Sequence, residues 1–254
     1  MATLRILVAV LLACLLVPAA AQAADHPSAR QILDQVDDTY RGKSARGQMR
    51  MKVVNPNYQR ELVMDFWSQG KEKSLVRIVE PLKERRTATL KNGNNIWNYL
   101  PKVNRTIKIP SSMMGGSWMG SDFTNDDLVK EQRMADDYTA KITFEGARGG
   151  NKIIEITCTP KPNAAVVWGK LVVTVRAQDH LPMQINYYKE NGALARRLTF
   201  SNYQTLGGRT VPTTMTMIPL DKRGHSTVVT YEKLEFDVNL PGNVFSVARL
   251  RSGK

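Results

Sequence analysis

From residue 44 onward, apolar and polar positions exchange places with a period of two. Met49, Met51 and Val53 alternate with Gln48, Arg50 and Lys52, and Leu62, Met64 and Phe66 alternate with Val63, Asp65 and Trp67. Val76 and Ile78 continue the pattern, which resumes at Ile96 to Leu100 and Thr106 to Ile109 after an Asn92-Gly93 turn. The second half repeats the alternation at Lys141 to Glu145, Ile153 to Cys158, Leu171 to Arg176 and Met183 to Lys189. An Asn191-Gly192 turn leads into Arg196 to Tyr203, and Gly207-Gly208 into Val211 to Ile218 and then Thr227 to Leu234. A period of two places alternate side chains on opposite faces of a strand, and the short connections favour antiparallel neighbours. This gives roughly eleven strands in one mainly-β domain, a single large curled antiparallel sheet. Ahead of it, Ser28 and Gln31 form a capping-box pattern. Ile32, Leu33, Val36 and Tyr40 then recur at helical spacing, with Gly42 placed to stop the helix. A curled sheet with a few helices laid over its concave face as a lid would bury that helix, and would enclose an apolar cavity unless large side chains fill it.

The stretch from Ser111 to Phe123 follows neither period. It sets Met113, Met114, Trp118, Met119 and Phe123 among Gly115, Gly116 and Gly120, and Thr124 then caps a short helix with Asp126 and Asp127 in its first turn. Loops ordinarily face water, so an apolar, glycine-rich one needs a reason. Two stand open: it plugs one end of the curled sheet, or it is a mobile lid whose methionines and aromatics offer acyl chains an adaptable surface. The residues expected to line the cavity or lid are Met64, Phe66, Trp97, Met113, Met114, Trp118, Met119 and Phe123.

Four segments carry a likeness: Trp67-Ser68-Gln69-Gly70, Arg77-Ile78-Val79-Glu80-Pro81, Asn95-Ile96-Trp97-Asn98-Tyr99-Leu100-Pro101, and the run from Met113 through Leu128. Through them the chain resembles the bacterial outer-membrane lipoprotein-sorting family, the LolA/LolB-like proteins, and more closely a subgroup often encoded beside RND-type lipid exporters. The resemblance implies an unclosed β-barrel with helices as a lid over an apolar cavity, spanning residues 24–254. It also implies a periplasmic carrier of lipoprotein acyl chains, a free lipid or another hydrophobic cargo, moving between an inner-membrane RND-type or ABC transporter and an outer-membrane acceptor. A related expectation is a lipid- or lipoprotein-sensing regulatory domain of an envelope stress system. No gating arginine of the family is assigned to a particular residue.

The N-terminus sets the compartment. Arg5 precedes the apolar run Ile6 to Val17, Pro18 breaks it, and Ala21-Gln22-Ala23 offers an A-x-A site, which reads as a signal peptide over 1–23 cleaved after Ala23. Anchoring as a lipoprotein at Cys14 is the weaker alternative, because the apolar run continues past it. With 36 basic and 23 acidic residues the formal charge is +13. In an exported protein that points to lipid head groups or an acidic partner rather than to nucleic acid, for which no motif is present. The turn Lys83-Glu84-Arg85-Arg86 reads either as a solvated loop or as a docking patch for anionic lipid or a transporter. Removal of Cys14 leaves one thiol, Cys158, and no internal disulfide.

No catalytic or metal site is expected, and no cofactor. His26, His180 and His225 are isolated in sequence, Ser117 misses the nucleophile-elbow pattern, and the adjacent acids Asp37-Asp38, Asp126-Asp127 and Asp136-Asp137 read as caps and solvated faces.

Overall fold

The structure, a computed structural model, describes residues 27–130, 134–164 and 166–252. The signal peptide, its cleavage position and Cys14 lie outside the described residues, as do His26 and Arg133. Helix α1 (Ala29–Asp38) is capped as its sequence dictates: Gln31 N donates to Ser28 Oγ at 3.3 Å, and Ser28 N to Gln31 Oε1 at 2.7 Å. It buries Ala29, Ile32, Leu33, Val36 and Asp37.

Thirteen strands follow where the alternation indicates roughly eleven. They are β1 (Ser44–Asn55), β2 (Tyr58–Gln69), β3 (Lys73–Glu80), β4 (Ala88–Asn92), β5 (Asn95–Leu100), β6 (Arg105–Lys108), β7 (Tyr138–Arg148), β8 (Asn151–Pro160), β9 (Lys170–Arg176), β10 (Pro182–Tyr188), β11 (Leu194–Leu206), β12 (Arg209–Pro219) and β13 (Ser226–Phe236). All belong to one antiparallel sheet in the order β6-β5-β4-β3-β2-β1-β13-β12-β11-β10-β9-β8-β7. Two meanders therefore run outward from a central β1–β13 seam. The free edges β6 and β7 are not paired with each other, so the sheet curls without closing.

Register shifts help it curl. One falls between Gln48 and Met49 opposite β13, and others at Val63/Met64 and Ile142/Phe144, since a bulge bends and twists its strand. Gly47 sits beside the first of these, where a Cβ would meet the Lys233 carbonyl oxygen at 2.0 Å. Only glycine allows the two backbones to approach there.

The crossover from β6 to β7 carries the chain back across the concave face, with α2 (Asn125–Lys130) and α3 (Met134–Asp137) on it. The main core lies between this layer and the sheet. It takes Met49, Met51, Leu62, Met64, Ile78, Ile156, Val173, Leu198 and Val229 from the strands, Ile32 and Leu33 from α1, and Trp118 and Phe123 from the crossover.

A second core has no counterpart in the sequence pattern. Helix α4 (Val247–Ser252) and the segment before it lie on the opposite face of β3–β5, where Val244, Phe245 and Leu250 meet Leu75, Ala88, Leu90 and Tyr99. These strands are consequently dry on both faces. In β4 Ala88, Thr89, Leu90 and Lys91 are all buried, which erases the alternation a half-wet strand would show.

Candidate functional site

The last turn of α1 and the residues after it face the inner ends of β1–β3, β10–β13 and the crossover. Between these layers lies a cavity of about 200 Å³, lined chiefly by apolar side chains including Val36, Phe66, Trp118, Phe123, Leu198 and Val229. Its aromatic wall is ordered: Tyr40 stacks on Tyr231 with ring centroids 4.7 Å apart, and Phe66 meets Tyr231 edge-on at 5.6 Å. The Tyr40 hydroxyl donates to the Pro212 carbonyl at 2.6 Å, so the ring is fixed at both ends.

The residues singled out from sequence distribute unevenly around this space. Phe66, Trp118 and Phe123 line the cavity. Met64 is fully buried in the core behind it, and Met119 packs partly buried against the same core. Met114 is half-buried, and Met113 is 57% exposed on the outer surface of the crossover. Trp97 faces the other way and packs on the second core, under α4.

The crossover is tied down at four places. Arg60 of β2, paired with Glu84, donates through Nη1 to the Met119 carbonyl at 2.6 Å. Trp118 Nε1 donates to Thr89 Oγ1 at 3.1 Å. The backbone N–H of Asp122 donates to Thr227 Oγ1 at 2.9 Å, and that hydroxyl donates to the Asp122 carboxylate at 2.8 Å. Helix α2 supplies the fourth tie. Asp127 accepts two hydrogen bonds from Arg196 of β11, at 2.7 and 2.5 Å, with both side chains almost wholly buried. The guanidinium sits in the corner of the edge-to-face pair Trp168 and Tyr187, 4.5 and 4.2 Å from their ring centroids. Asp127 also accepts from the Thr124 N–H at 2.7 Å while its own N–H donates to Thr124 Oγ1 at 3.2 Å, closing a capping box. The expected cap is present, but Asp126 and Asp127 are buried rather than solvated.

A similar correction applies to Asp37, while Asp38 beside it is exposed as expected. Asp37 points inward and lines the cavity together with Arg41 and Ser68. Burial pushes its carboxyl up from the ordinary 3.8 to about 7, against the opposing pull of Arg41 and Lys71. Burial lowers the Arg41 guanidinium for the same reason. The spacing held a usable signal: Asp37 stands four residues after Leu33 and Arg41 four after Asp37, so both continue the apolar stripe of α1. Cys158 is wholly buried, with its thiol pushed up to about 12 by desolvation. Among the described residues no group of His, Cys, Asp and Glu side chains could hold a metal ion.

The ends of the curled sheet differ. At the end carrying the β1–β2, β3–β4, β5–β6, β8–β9 and β12–β13 connections, Tyr58, Leu82, Val103, Val167 and Leu220 are exposed, Leu82 by 80%. Exposed Lys83, Arg85, Lys102, Lys222 and Arg223 stand among them. Among the described residues the β2–β3, β4–β5, β7–β8, β9–β10 and β11–β12 connections at the opposite end expose no large hydrophobic side chain.

The open antiparallel sheet with its own crossover laid inside is a fold that this chain shares with solved structures. The chain matches a DUF1329 family protein from Desulfovibrio piger (TM-score 0.79, 21% identical, covering 87% of this chain and 97% of that one). It also matches a putative outer membrane lipoprotein-sorting protein domain from Vibrio parahaemolyticus (0.75, 24%, 88% and 98%) and a LolA superfamily protein from Nitrosomonas europaea (0.73, 21%, 88% and 99%). No curated protein matches it. A family model described as an uncharacterized protein matches residues 70–252, well over half of the chain. The chain belongs to that family, and its fold is the one seen in the outer membrane lipoprotein-sorting protein domain and the LolA superfamily protein.

Proposed function

We propose that this protein is a periplasmic binding and transfer protein. It shields lipoprotein acyl chains or another lipid in the cavity and passes them from an inner-membrane transporter of RND or ABC type to an outer-membrane acceptor. The observation that carries this reading is an apolar cavity roofed by a segment of the chain's own crossover. Drying one methylene is worth about 0.8 kcal/mol, so carriage needs burial and no chemistry. The reading takes the chain as exported by its N-terminal signal and as a non-enzymatic carrier without a cofactor.

At about 200 Å³ the cavity is smaller than the roughly 300–1,000 Å³ of sites that hold drug-sized ligands. A long acyl chain therefore needs the roof to shift, and the Arg60, Thr89, Thr227 and Arg196 ties name what must loosen. The apolar, cationic end of the sheet is the natural surface for meeting a membrane, since lysine and arginine favour anionic head groups and exposed apolar tips favour the interface.

Native mass spectrometry with lipid extraction, on protein purified from its own periplasm without detergent, tests the reading. A stoichiometric apolar adduct is expected. A consistently bare mass, with no uptake from labelled lipid vesicles, would sink it.

A further inference from the structure

The cavity is not apolar throughout. Of the buried side-chain polar atoms that find no hydrogen bond of good geometry among the described residues, four belong to three residues that line it: both carboxylate oxygens of Asp37, which the Ala135 N–H approaches only loosely, Nη1 of Arg41 and Oγ of Ser68. Asp37 and Arg41 are 6% and 4% exposed. Leaving a buried polar group unmatched costs about 1–3 kcal/mol, and more where it is charged, so a cluster of such groups facing one space calls for a partner.

The three sit together at one end. Asp37 and Arg41 are one helical turn apart, and each feels the other's charge without a hydrogen bond joining them. Ser68 is near the end of β2, opposite Ser74 of β3, and the Gly70 N–H donates to the Lys43 carbonyl at 3.0 Å, which holds that end of β2 beside the chain leaving α1. Lys71 Nζ is 3.9 Å from Asp37 Oδ2, an ion pair longer than a hydrogen bond. Trp118, Phe123 and Leu128 supply the apolar wall from the crossover.

We infer that this polar end, Asp37, Arg41 and Ser68, is a headgroup subsite, and that the protein's ligand is a neutral amphiphile carrying a hydroxyl group on an apolar body. This rests on the carrier reading and narrows it. The signs of the charges select the class. A carboxylate would gain Arg41 and face Asp37, while an ammonium would gain Asp37 and face Arg41 and Lys71. An alcohol hydroxyl donates to the carboxylate and accepts from the guanidinium at once, satisfying both without adding a charge to a buried site. Ser68, able to donate and accept, completes the ring of partners.

The test is run at pH 8, where Asp37 is ionised, and uses the delipidated full protein with the neutral fluorescent probe N-phenylnaphthylamine in the cavity, displaced by octanol, octyl methyl ether, octanoate or octylamine. These chains are short enough to ask the question without demanding a large movement of the roof. Octanol is expected to displace the probe at a concentration about tenfold lower than the ether or either ion, the factor expected from one hydrogen bond to a charged group. In the Asp37→Asn, Arg41→Gln double variant the alcohol-to-ether ratio is expected to fall toward one. The ratio is taken within each variant, so a change in overall affinity does not enter it. Should that variant not fold, Ser68→Ala carries the test, with a ratio lowered by about threefold. Equal displacement by alcohol and ether, tightest binding of octanoate or octylamine, or a ratio unmoved by the substitutions would each overturn the inference and leave the carrier reading standing. Failure of the probe to enter at all would remove both.

Discussion

Asp37 makes the energetics of the site accessible to a pH titration. Its carboxyl lies at about 7 in the folded chain and returns to its ordinary value near 4 on unfolding. Between those values the folded state holds a proton that the unfolded state has released. The cost of the buried charge is therefore absent below about pH 4, grows as the pH rises, and is complete above about 7. Thermal unfolding followed from pH 4 to 8 should show a stability that declines through this window, and Asp37→Asn should remove the part of the slope due to this group and be the more stable form at pH 8. An unchanged slope would place the titration elsewhere. Arg196 and Asp127 make a different point. Removing Arg196 takes the guanidinium from the buried Asp127 carboxylate, so Arg196→Met should cost about 3–5 kcal/mol in denaturant unfolding, and adding Asp127→Asn to it should cost less than the two single substitutions summed. Cys158 should resist a thiol reagent at pH 8 in the folded protein and react on unfolding, because burial holds it as the thiol.

At the scale of elements, the sequence is informative wherever one face of a strand meets water. Met49, Met51 and Val53 in β1, and Leu62, Met64 and Phe66 in β2, show their burial in their alternation. So does α1, whose cap and stripe are both local. The signal fails where two layers cover one strand. Ala88 to Lys91 have no alternation to read, since Leu90 lies beneath α4 while Thr89 takes the Trp118 indole from the other side. Size and neighbourhood point Trp97 toward the cavity, but its face is decided by α4, a helix of six residues from the far end of the chain. Asp127 escapes a sequence reading for a related reason: it is unremarkable until the layer above it is known, whereas Asp37 betrays itself by its place on the α1 stripe. Leu250→Ala should therefore cost about 2–5 kcal/mol despite its place in the last short helix, measurable by urea unfolding. Trp118→Ala should cost a similar amount while also freeing the crossover from Thr89.

For the whole molecule, the contrast between the two ends of the sheet yields a separable prediction. Leu82 is 80% exposed and packs into neither core, so Leu82→Glu should leave the unfolding temperature unchanged. If that end meets membranes, the same substitution should weaken flotation with anionic phospholipid vesicles, as should charge reversal of Lys83 and Arg85. The wild-type association should fall with added salt. Flotation that ignores both substitutions would assign membrane contact to another surface.

The seam has a consequence for how the chain assembles. Every strand pair within the two meanders joins neighbours in sequence, but β1 pairs with β13, bringing Ala45 opposite Phe236 across almost the whole described chain. Loop-closure entropy makes such a pairing late and slow compared with the hairpins on either side. Each meander can form by itself, with β1 or β13 as a bare edge waiting for its partner, and that edge offers open hydrogen-bonding groups to any other extended chain. Met49, Met51 and Val53, whose inward faces complete the core, are exposed for that interval. The step that most needs protection from aggregation is thus the zipping of two preformed halves, at the strand that appears first and the one that appears last.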